Sequence, residues 1–288
     1  MKRKEFLKKV IAGGSFSLLG VSALAEAIDD ANKSETSQVG FNHLPNTIMN
    51  SMNTVLHKSD TRGNANHGWL NSHHTFSFAN YYNPDRMNFG VLRVLNDDVV
   101  APGMGFGTHP HQNMEIISIP LEGDLRHKDS TGHEAIIRQG DVQVMSAGSG
   151  ISHSEMNANT DRQVKFLQIW VVPNAENVQP RYQQITLDEA KLKNQLHQIL
   201  SPNPEDEGVW IHQDAWFHLG RLDGKKSFTY DLHKSGNGVY AFVIEGEVSV
   251  NGQKLEKRDG FGLWDLESLK ISSNGEAEIL LMEIPMHQ

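Results

Sequence analysis

Two short pairs of polar residues offer the side chains best suited to chemistry. His109 and His111 flank Pro110, and further along the chain His153 and Glu155 also stand two residues apart. Because side chains alternate between the faces of an extended strand, each pair can present two ligands to one side. Three imidazoles and a carboxylate suit a divalent first-row metal, and such a set with open positions is typical of non-haem Fe(II) oxygenases. We therefore predict one divalent metal ion, Fe(II), on these four side chains.

The segment between the two pairs reads as strands joined by turns. Residues 115–121 are rich in β-branched side chains, and residues 142–145 repeat that character. Residues 122–124 and 139–141 each contain a glycine beside an aspartate, which is typical of turns. The ligand pairs should therefore lie on neighbouring strands at one end of a small β-barrel.

The second half of the chain repeats the first without its ligands. Residues 239–248 resemble residues 116–125, and residues 277–285 correspond to the strand that ends at Pro173. Such internal similarity predicts an all-β fold of two tandem double-sheet jelly-roll barrels. The second copy lacks both ligand pairs, so we expect metal only in the first barrel. Residues 187–200 carry the one helical pattern, which makes helix a minor component.

The N-terminus predicts export. Residues 1–25 combine a basic start, an apolar stretch and small residues at Ala23 and Ala25, an order that fits a secretory signal peptide. Arg3 and Lys4 resemble a twin-arginine signal in which lysine takes the place of the second arginine. We expect a periplasmic protein exported by the twin-arginine route, with no stable membrane span in its mature form.

Four segments follow from these patterns. Residues 1–25 are the signal peptide and residues 26–51, which are polar and without a sustained period, form a linker. Residues 52–173 form the N-terminal metal-binding domain and residues 174–288 the C-terminal metal-free domain.

Composition excludes several kinds of partner and site. The 288 residues carry 26 basic and 35 acidic side chains, so the net charge is 26 − 35 = −9, which repels nucleic acid. The chain has no cysteine, which excludes disulfides, thiolate metal sites and cysteine nucleophiles. We expect a monomer that binds a small molecule.

A family resemblance emerges from the same stretch. Gly103, His109, His111 and Glu115 match the pattern G-x5-H-x-H-x3-E, which resembles the first cupin motif. The HPH sequence followed later by SAGSGISHSE is similar to pirin, and so are residues 67–70, 74–78 and 92–98. The chain thus resembles the pirin family of the cupin superfamily, in particular bacterial pirin-like quercetin 2,3-dioxygenases, and a bicupin fold is implied.

The resemblance implies a choice between two carboxylates. In ordinary cupins the position of Glu115 supplies the fourth ligand, whereas in pirin-like proteins the residue two after the last histidine does so, and Glu155 holds that place. We expect Glu155 to bind the metal, with Glu115 on the same face as a supporting partner.

The resemblance also implies an activity. A pirin-like quercetinase is a metal-dependent dioxygenase that opens the ring of quercetin-like flavonols with release of carbon monoxide, and its substrates are a flavonol and dioxygen. Glu155 would accept the proton of the flavonol hydroxyl, since a ligating carboxylate can also act as a base. Two alternatives are a pirin-type metal-dependent redox sensor that binds proteins and a cupin enzyme for another small molecule.

Other side chains near the motif allow two interpretations. The aromatic residues Trp69, Phe76 and Phe78 could form core or the apolar slot that a flat polyphenol needs. His73 and His74 are adjacent, so at most one of them can reach the pocket. We place four further histidines outside the site, as ordinary solvated or hydrogen-bonded side chains: His127, His133, His212 and His233.

Overall fold

Short β-rich runs form strands through nearly the whole of residues 52–287, which the computed structural model describes. The predicted signal peptide and the whole of the predicted linker lie outside the described residues. A 3-10 turn spans Ser59–Thr61, and the one short α-helix, α1, spans Glu189–Leu192. The strands are β1 (Asn53–His57), β2 (Gly63–Asn66), β3 (Leu70–His74), β4 (Leu92–Val100), β5 (Gly105–His111), β6 (Glu115–Glu122), β7 (Asp124–Asp129), β8 (Glu134–Arg138), β9 (Asp141–Ser146), β10 (Ile151–Asn157), β11 (Val164–Val171), β12 (Arg181–Thr186), β13 (His197–Ser201), β14 (Val209–Trp210), β15 (Trp216–Leu222), β16 (Lys225–Asp231), β17 (Asn237–Val250), β18 (Gln253–Glu256), β19 (Gly260–Trp264) and β20 (Ser268–Pro285).

Two sheets make up the N-terminal barrel. The larger sheet has the strand order β12-β9-β6-β11-β4-β3-β2, and the smaller one has the order β5-β10-β7-β8. Both sheets are antiparallel, so their inward and outward side chains alternate along each strand. The smaller sheet carries both predicted ligand pairs, one on β5 and one on β10, and these two strands are adjacent.

The C-terminal barrel is built from one continuous sheet with the order β1-β19-β17-β20-β15-β13-β14, to which β16 and β18 add as side branches. Strands β17 and β20 are 14 and 18 residues long. Their pairing shifts register on both sides of Gly246, whose φ of 76° is in the left-handed region. A bulge of this kind bends a strand, which lets the same two strands serve both layers of a barrel.

Each half lends a strand to the sheet of the other. Strand β1 precedes the N-terminal barrel in sequence but pairs with β19. Strand β12 follows Pro173 in sequence but pairs with β9 of the N-terminal barrel. The domain boundary near Pro173 stays a prediction, and the structure adds that the chain crosses between the two sheets on both sides of it.

One hydrophobic cluster joins the barrels. Ile117 and Ile119 of β6 belong to it, and so do Tyr240 and Phe242 of β17. The intervening side chains of β17 belong to a second cluster inside the C-terminal barrel. The alternation along the strands therefore gives each large sheet one face toward its own barrel and one toward the shared core.

The predicted turns form, whereas the predicted helix largely does not. Gly123 and Gly140 have φ values of 75° and 91°, a region that favours glycine. Within residues 187–200 only α1 is helical, and Asn194 turns the chain with a φ of 59° before β13 begins. The helical prediction is wrong there because pairing of β13 with β15 outweighs a weak helical pattern. None of the helices that the structure describes is long and apolar enough to cross a membrane.

Candidate metal centre

Three histidines converge where β5 and β10 pair. His109 lies opposite His153, and His111 lies opposite Ile151. The ring centroids of the three histidines are 4.6 to 4.8 Å apart, and one ring nitrogen from each lies within 4.8 Å of the others. Among residues 52–287 this is the one group of three such side chains close enough to share a metal ion. The structure thus brings together the three histidines that the spacing singled out, and their role as metal ligands stays a prediction.

The free nitrogens of these histidines fit a divalent metal. His109 Nδ1 lies 2.8 Å from the carbonyl oxygen of Gly107, so Nδ1–H can donate there and leave Nε2 as an electron-pair donor. The Nε2 atoms of His111 and His153 are buried and have no hydrogen-bond partner. Burial and neighbouring imidazoles lower the pKa of His111 to about 4 and that of His153 to about 2. His111 and His153 therefore suit metal binding, which requires neutral imidazole, and the Gly107 contact orients the His109 ring for the same role.

Glu155 lies inside the barrel on the same face of β10 as His153. Its side chain is 2% exposed, and it accepts hydrogen bonds from Ser118 Oγ at 3.0 Å and from Gln168 Nε2 at 2.5 Å. Burial raises the pKa of the Glu155 carboxyl, and nearby His127 opposes that rise. The group of close nitrogens comprises the three histidines alone. The role of Glu155 as fourth ligand stays a prediction.

Glu115 occupies a different environment. Its Oε2 accepts a hydrogen bond from Ser146 Oγ at 2.6 Å, and the guanidinium of Arg181 and the backbone N–H of His212 also face it. Burial raises the pKa of Glu115 to about 7. Ser118, three residues along β6, faces Glu155, so Glu115 points to the opposite face of the strand. This is contrary to our expectation that Glu115 shares a face with the metal ligands.

Sequence reasoning missed His127, which lies directly behind His153. Its side chain is fully buried, with Nδ1 3.5 Å from His153 Nδ1 and Nε2 2.9 Å from Asp129 Oδ2. It is hydrogen-bonded, as expected, and it is not one of the three converging histidines, but its contact with His153 was not expected. Half of the signal was available, because His127 and Asp129 also stand two apart, but the pairing of β7 with β10 is known only from the structure.

The other three of these histidines lie elsewhere. His133 stacks on Tyr182 with ring centroids 3.9 Å apart, His212 packs against Trp210, and His233 stacks on Trp216. None of these three side chains contacts the three converging histidines.

An aromatic wall adjoins His111. The ring centroid of Trp170 lies 4.9 Å from that of His111, and Phe78 packs edge-on against Trp170 at 5.4 Å. The Nε1 of Trp170 is buried without a hydrogen-bond partner. Among the three aromatic residues with two interpretations, Phe78 therefore lies at the site. Phe76 belongs to the shared core, and Trp69 packs against Phe106.

His74 also faces inward. Adjacent side chains of a strand face opposite ways, so only one of His73 and His74 can do so. Its ring lies 5.3 Å from Phe78, and its Nδ1 is 2.9 Å from Asn96 Oδ1. His73 points the other way and contacts Asn64.

A second buried carboxyl, that of Asp98, lies near Glu155. Ser72 Oγ donates a hydrogen bond to Asp98 Oδ1. Burial raises the pKa of Asp98 to about 7, and the neighbouring Asp97 and Glu155 add to the rise. The interior of the barrel is therefore polar.

Comparison with known proteins agrees with this geometry. Residues 55–171 match the Pirin family, and residues 198–284 match the quercetinase C-terminal cupin domain. A quercetin 2,3-dioxygenase of Escherichia coli (strain K12) is 42% identical over 230 residues, which cover 80% of this chain and 98% of that protein. A pirin-like protein of Caulobacter vibrioides is 38% identical over 225 residues, which cover 78% and 96%.

A solved structure gives the same result. The crystal structure of the bacterial pirin YhhW from Escherichia coli in complex with nickel(II) has a TM-score of 0.76 and 39% identity to this chain. The superposition covers 81% of this chain and 99% of that one. The predicted all-β bicupin fold is confirmed. The chain belongs to the pirin family.

Proposed function

We propose that this chain is a metal-dependent dioxygenase that opens the ring of quercetin-like flavonols and releases carbon monoxide. The observation that carries the proposal is the set of three converging imidazoles, from His109, His111 and His153, beside an aromatic wall. The name quercetin 2,3-dioxygenase, given to the relative from Escherichia coli, supports the same activity.

The proposed metal is a single Fe(II) ion. His109, His111 and His153 would hold it with Glu155, a histidine and carboxylate set that suits iron in oxygenases. The nickel(II) ion in the YhhW complex supports a divalent metal in this family. When bound, the metal would supply a Lewis acid and a path for electrons between flavonol and dioxygen.

The aromatic wall would orient the substrate. Trp170 and Phe78 offer apolar ring surface next to His111, as expected for a pocket that takes a flat polyphenol. The indole Nε1–H of Trp170 has no hydrogen-bond partner among residues 52–287 and would donate to a substrate oxygen. These residues would set the ring plane, while the histidines fix where the oxygen atoms of the flavonol lie.

Glu155 would move the proton. Its buried carboxyl has a raised pKa, so as a carboxylate it is a stronger base than an exposed glutamate. It would accept the proton of the flavonol 3-hydroxyl. The resulting acid would donate to Ser118 Oγ, whose own proton can turn to Gln168 Oε1 at 2.9 Å, while Gln168 Nε2 still donates to the other oxygen of Glu155.

We propose further that the protein acts as a monomer in the periplasm after export by the twin-arginine route. The order of basic, apolar and small residues in positions 1–25 supports this location. N-terminal sequencing of periplasmic material should give a start at Glu26 or close to it. Full-length protein found only in the cytosol would contradict the proposal.

Oxygen uptake by the purified, iron-loaded protein tests the activity. We expect uptake with quercetin and no uptake with the matching flavone that lacks the 3-hydroxyl group, because Glu155 then has no proton to accept. His111→Ala should abolish uptake. Iron binding without uptake on a panel of flavonols would overturn the proposed activity and favour a redox-sensing or protein-binding role.

A further inference from the structure

A buried chain of polar contacts leads from His153 to two side chains of the neighbouring strand β7. His153 Nδ1 lies 3.5 Å from His127 Nδ1, and His127 Nε2 lies 2.9 Å from Asp129 Oδ2. His127 and Asp129 have fully buried side chains. The contact between the two histidines is long for a hydrogen bond. Which ring donates depends on which nitrogens carry protons.

Asp129 fixes the first proton of this chain. Its Oδ1 accepts hydrogen bonds from the backbone N–H and the hydroxyl of Thr131 and from the backbone N–H of His133. Its other oxygen, Oδ2, faces His127 Nε2 and can only accept as part of a carboxylate. His127 must therefore carry a proton on Nε2.

The second proton follows from the first. A neutral imidazole with a proton on Nε2 has an acceptor at Nδ1. In this neutral form His127 Nδ1 can only accept, and the proton between the two rings then sits on His153 Nδ1. His153 Nε2 is left without a proton, and this is the buried nitrogen that faces His109 and His111.

A residue from the C-terminal side of Pro173 covers the pair of His127 and Asp129. Tyr182 of β12 lies against the His127 ring with centroids 4.8 Å apart, and His133 covers the other part of Tyr182. The Tyr182 hydroxyl donates to Gln184 Oε1 and does not compete for His127. The two nitrogens of His127 therefore have one assigned partner each.

We propose that His127 and Asp129 are positioning residues that set the tautomer of His153, so that Nε2 is the free metal-binding nitrogen. Partners behind a metal-binding histidine typically change metal affinity by about 10–100-fold when removed. The inference rests on the three-histidine site and not on flavonol chemistry, so a failure of the proposed activity would leave it standing.

Asp129→Asn gives the sharpest test because it reverses the donor and acceptor roles along these hydrogen bonds while the side chain keeps its size. The amide oxygen would stay with the Thr131 N–H, so the amide NH₂ would face His127 Nε2 and donate to it. His127 Nδ1 would then carry the proton, and His153 would have to accept at Nδ1 and carry its own proton on Nε2. Asp141→Asn, another buried aspartate with no recorded contact to these histidines, is the matched control.

Two measurements on the full chain read out the effect. Long-range proton–nitrogen NMR spectra of the metal-free protein report the tautomer of His153, and competition with a chelator reports its affinity for cobalt(II). We expect Nδ1–H on His153 in the wild type and in Asp141→Asn. In Asp129→Asn we expect Nε2–H and a cobalt(II) affinity lower by about 10–100-fold. A wild-type Nε2–H, or an Asp129→Asn protein that matches the control, would overturn the proposal.

A second pair of variants serves if Asp129→Asn does not fold. His127→Asn keeps an oxygen acceptor near the position of Nδ1, whereas His127→Leu removes it. The asparagine should retain most of the cobalt(II) affinity and the visible spectrum of the bound ion, and the leucine should lose both. Equal losses in the two variants would contradict a role in setting the tautomer.

Discussion

At the scale of single residues, two glutamates that look interchangeable in the sequence have different surroundings. Glu155 lies inside the barrel with Ser118 and Gln168, whereas Glu115 lies on the opposite face of β6 with Ser146 and Arg181. Glu155→Gln should therefore lower both metal content and oxygen uptake, and Glu115→Gln should leave metal content close to the wild-type level. Elemental analysis of both variants after iron loading measures the difference. Metal loss in Glu115→Gln alone would reverse the assignment.

Asp98 predicts how stability depends on pH. Burial raises its pKa from the ordinary value of 3.8 to about 7. Because the folded protein then binds the proton more tightly than the unfolded chain, this group lowers the unfolding free energy as pH rises from about 4 to about 7, by up to about 4 kcal/mol. Asp98→Asn keeps an acceptor for Ser72 but removes the ionisation.

Urea unfolding of the metal-free protein checks this prediction. The stability of Asp98→Asn relative to the wild type should be greater at pH 8 than at pH 5. An equal difference at the two pH values would show that Asp98 does not carry the raised pKa.

Alternation along strands predicted which histidines converge, and it also explains what was missed. The i and i+2 spacing of His109 with His111, and of His153 with Glu155, was sufficient because β5 and β10 are neighbours. His127 obeys the same spacing with Asp129, but nothing in the sequence tells that β7 pairs with the other edge of β10. The sequence does not single out Trp170, because its contact with His111 depends on long-range packing.

At the scale of elements, the separation of β5 from β10 sets the distances between the histidines. A Cβ atom on Gly105 would lie 2.2 Å from the Glu155 carbonyl oxygen and 2.6 Å from Met156 Cα, so Gly105→Ala must push the strands apart. We expect a stability loss of about 1–3 kcal/mol and weaker metal binding. Gly107→Ala is the control on the same strand, since its Cβ would meet no atom within 4 Å.

Chemical unfolding and chelator competition on both glycine variants measure these effects. Equal metal affinity in Gly105→Ala and the wild type would mean that the site tolerates a displaced β5.

Strands were easier to predict than the segment that joins the halves. Residues 115–121 have the composition of a strand and form one in β6. In residues 187–200, by contrast, leucines at helical spacing are buried by contact with β15 and the shared core, so tertiary packing decides the local structure.

At the scale of the whole molecule, the repeat predicted two barrels, but the exchange of strands between them was not predictable. Strand β1 pairs in the C-terminal sheet and β12 in the N-terminal sheet. Such pairings depend on register between distant segments, which composition does not encode. The shared core adds a further link, since Phe242 of one half and Ile117 of the other belong to one cluster.

These links predict that the N-terminal half does not fold alone. A fragment of residues 52–173 lacks β12, with Tyr182 behind His127, and exposes the apolar face that the shared core covers. We expect it to aggregate or to lack dispersed NMR signals, whereas the chain of residues 52–288 should unfold in a single transition. A stable, metal-binding fragment would show that the barrels are independent.

The production of carbon monoxide from quercetin tests the central claim most directly. The iron-loaded chain should release carbon monoxide in amounts equal to the dioxygen consumed. The double variant His109→Ala with His153→Ala should release none, because two of the three imidazoles that form the site are gone. Quercetin consumption without carbon monoxide, or equal release by the double variant, would contradict a ring-opening dioxygenase centred on the three histidines.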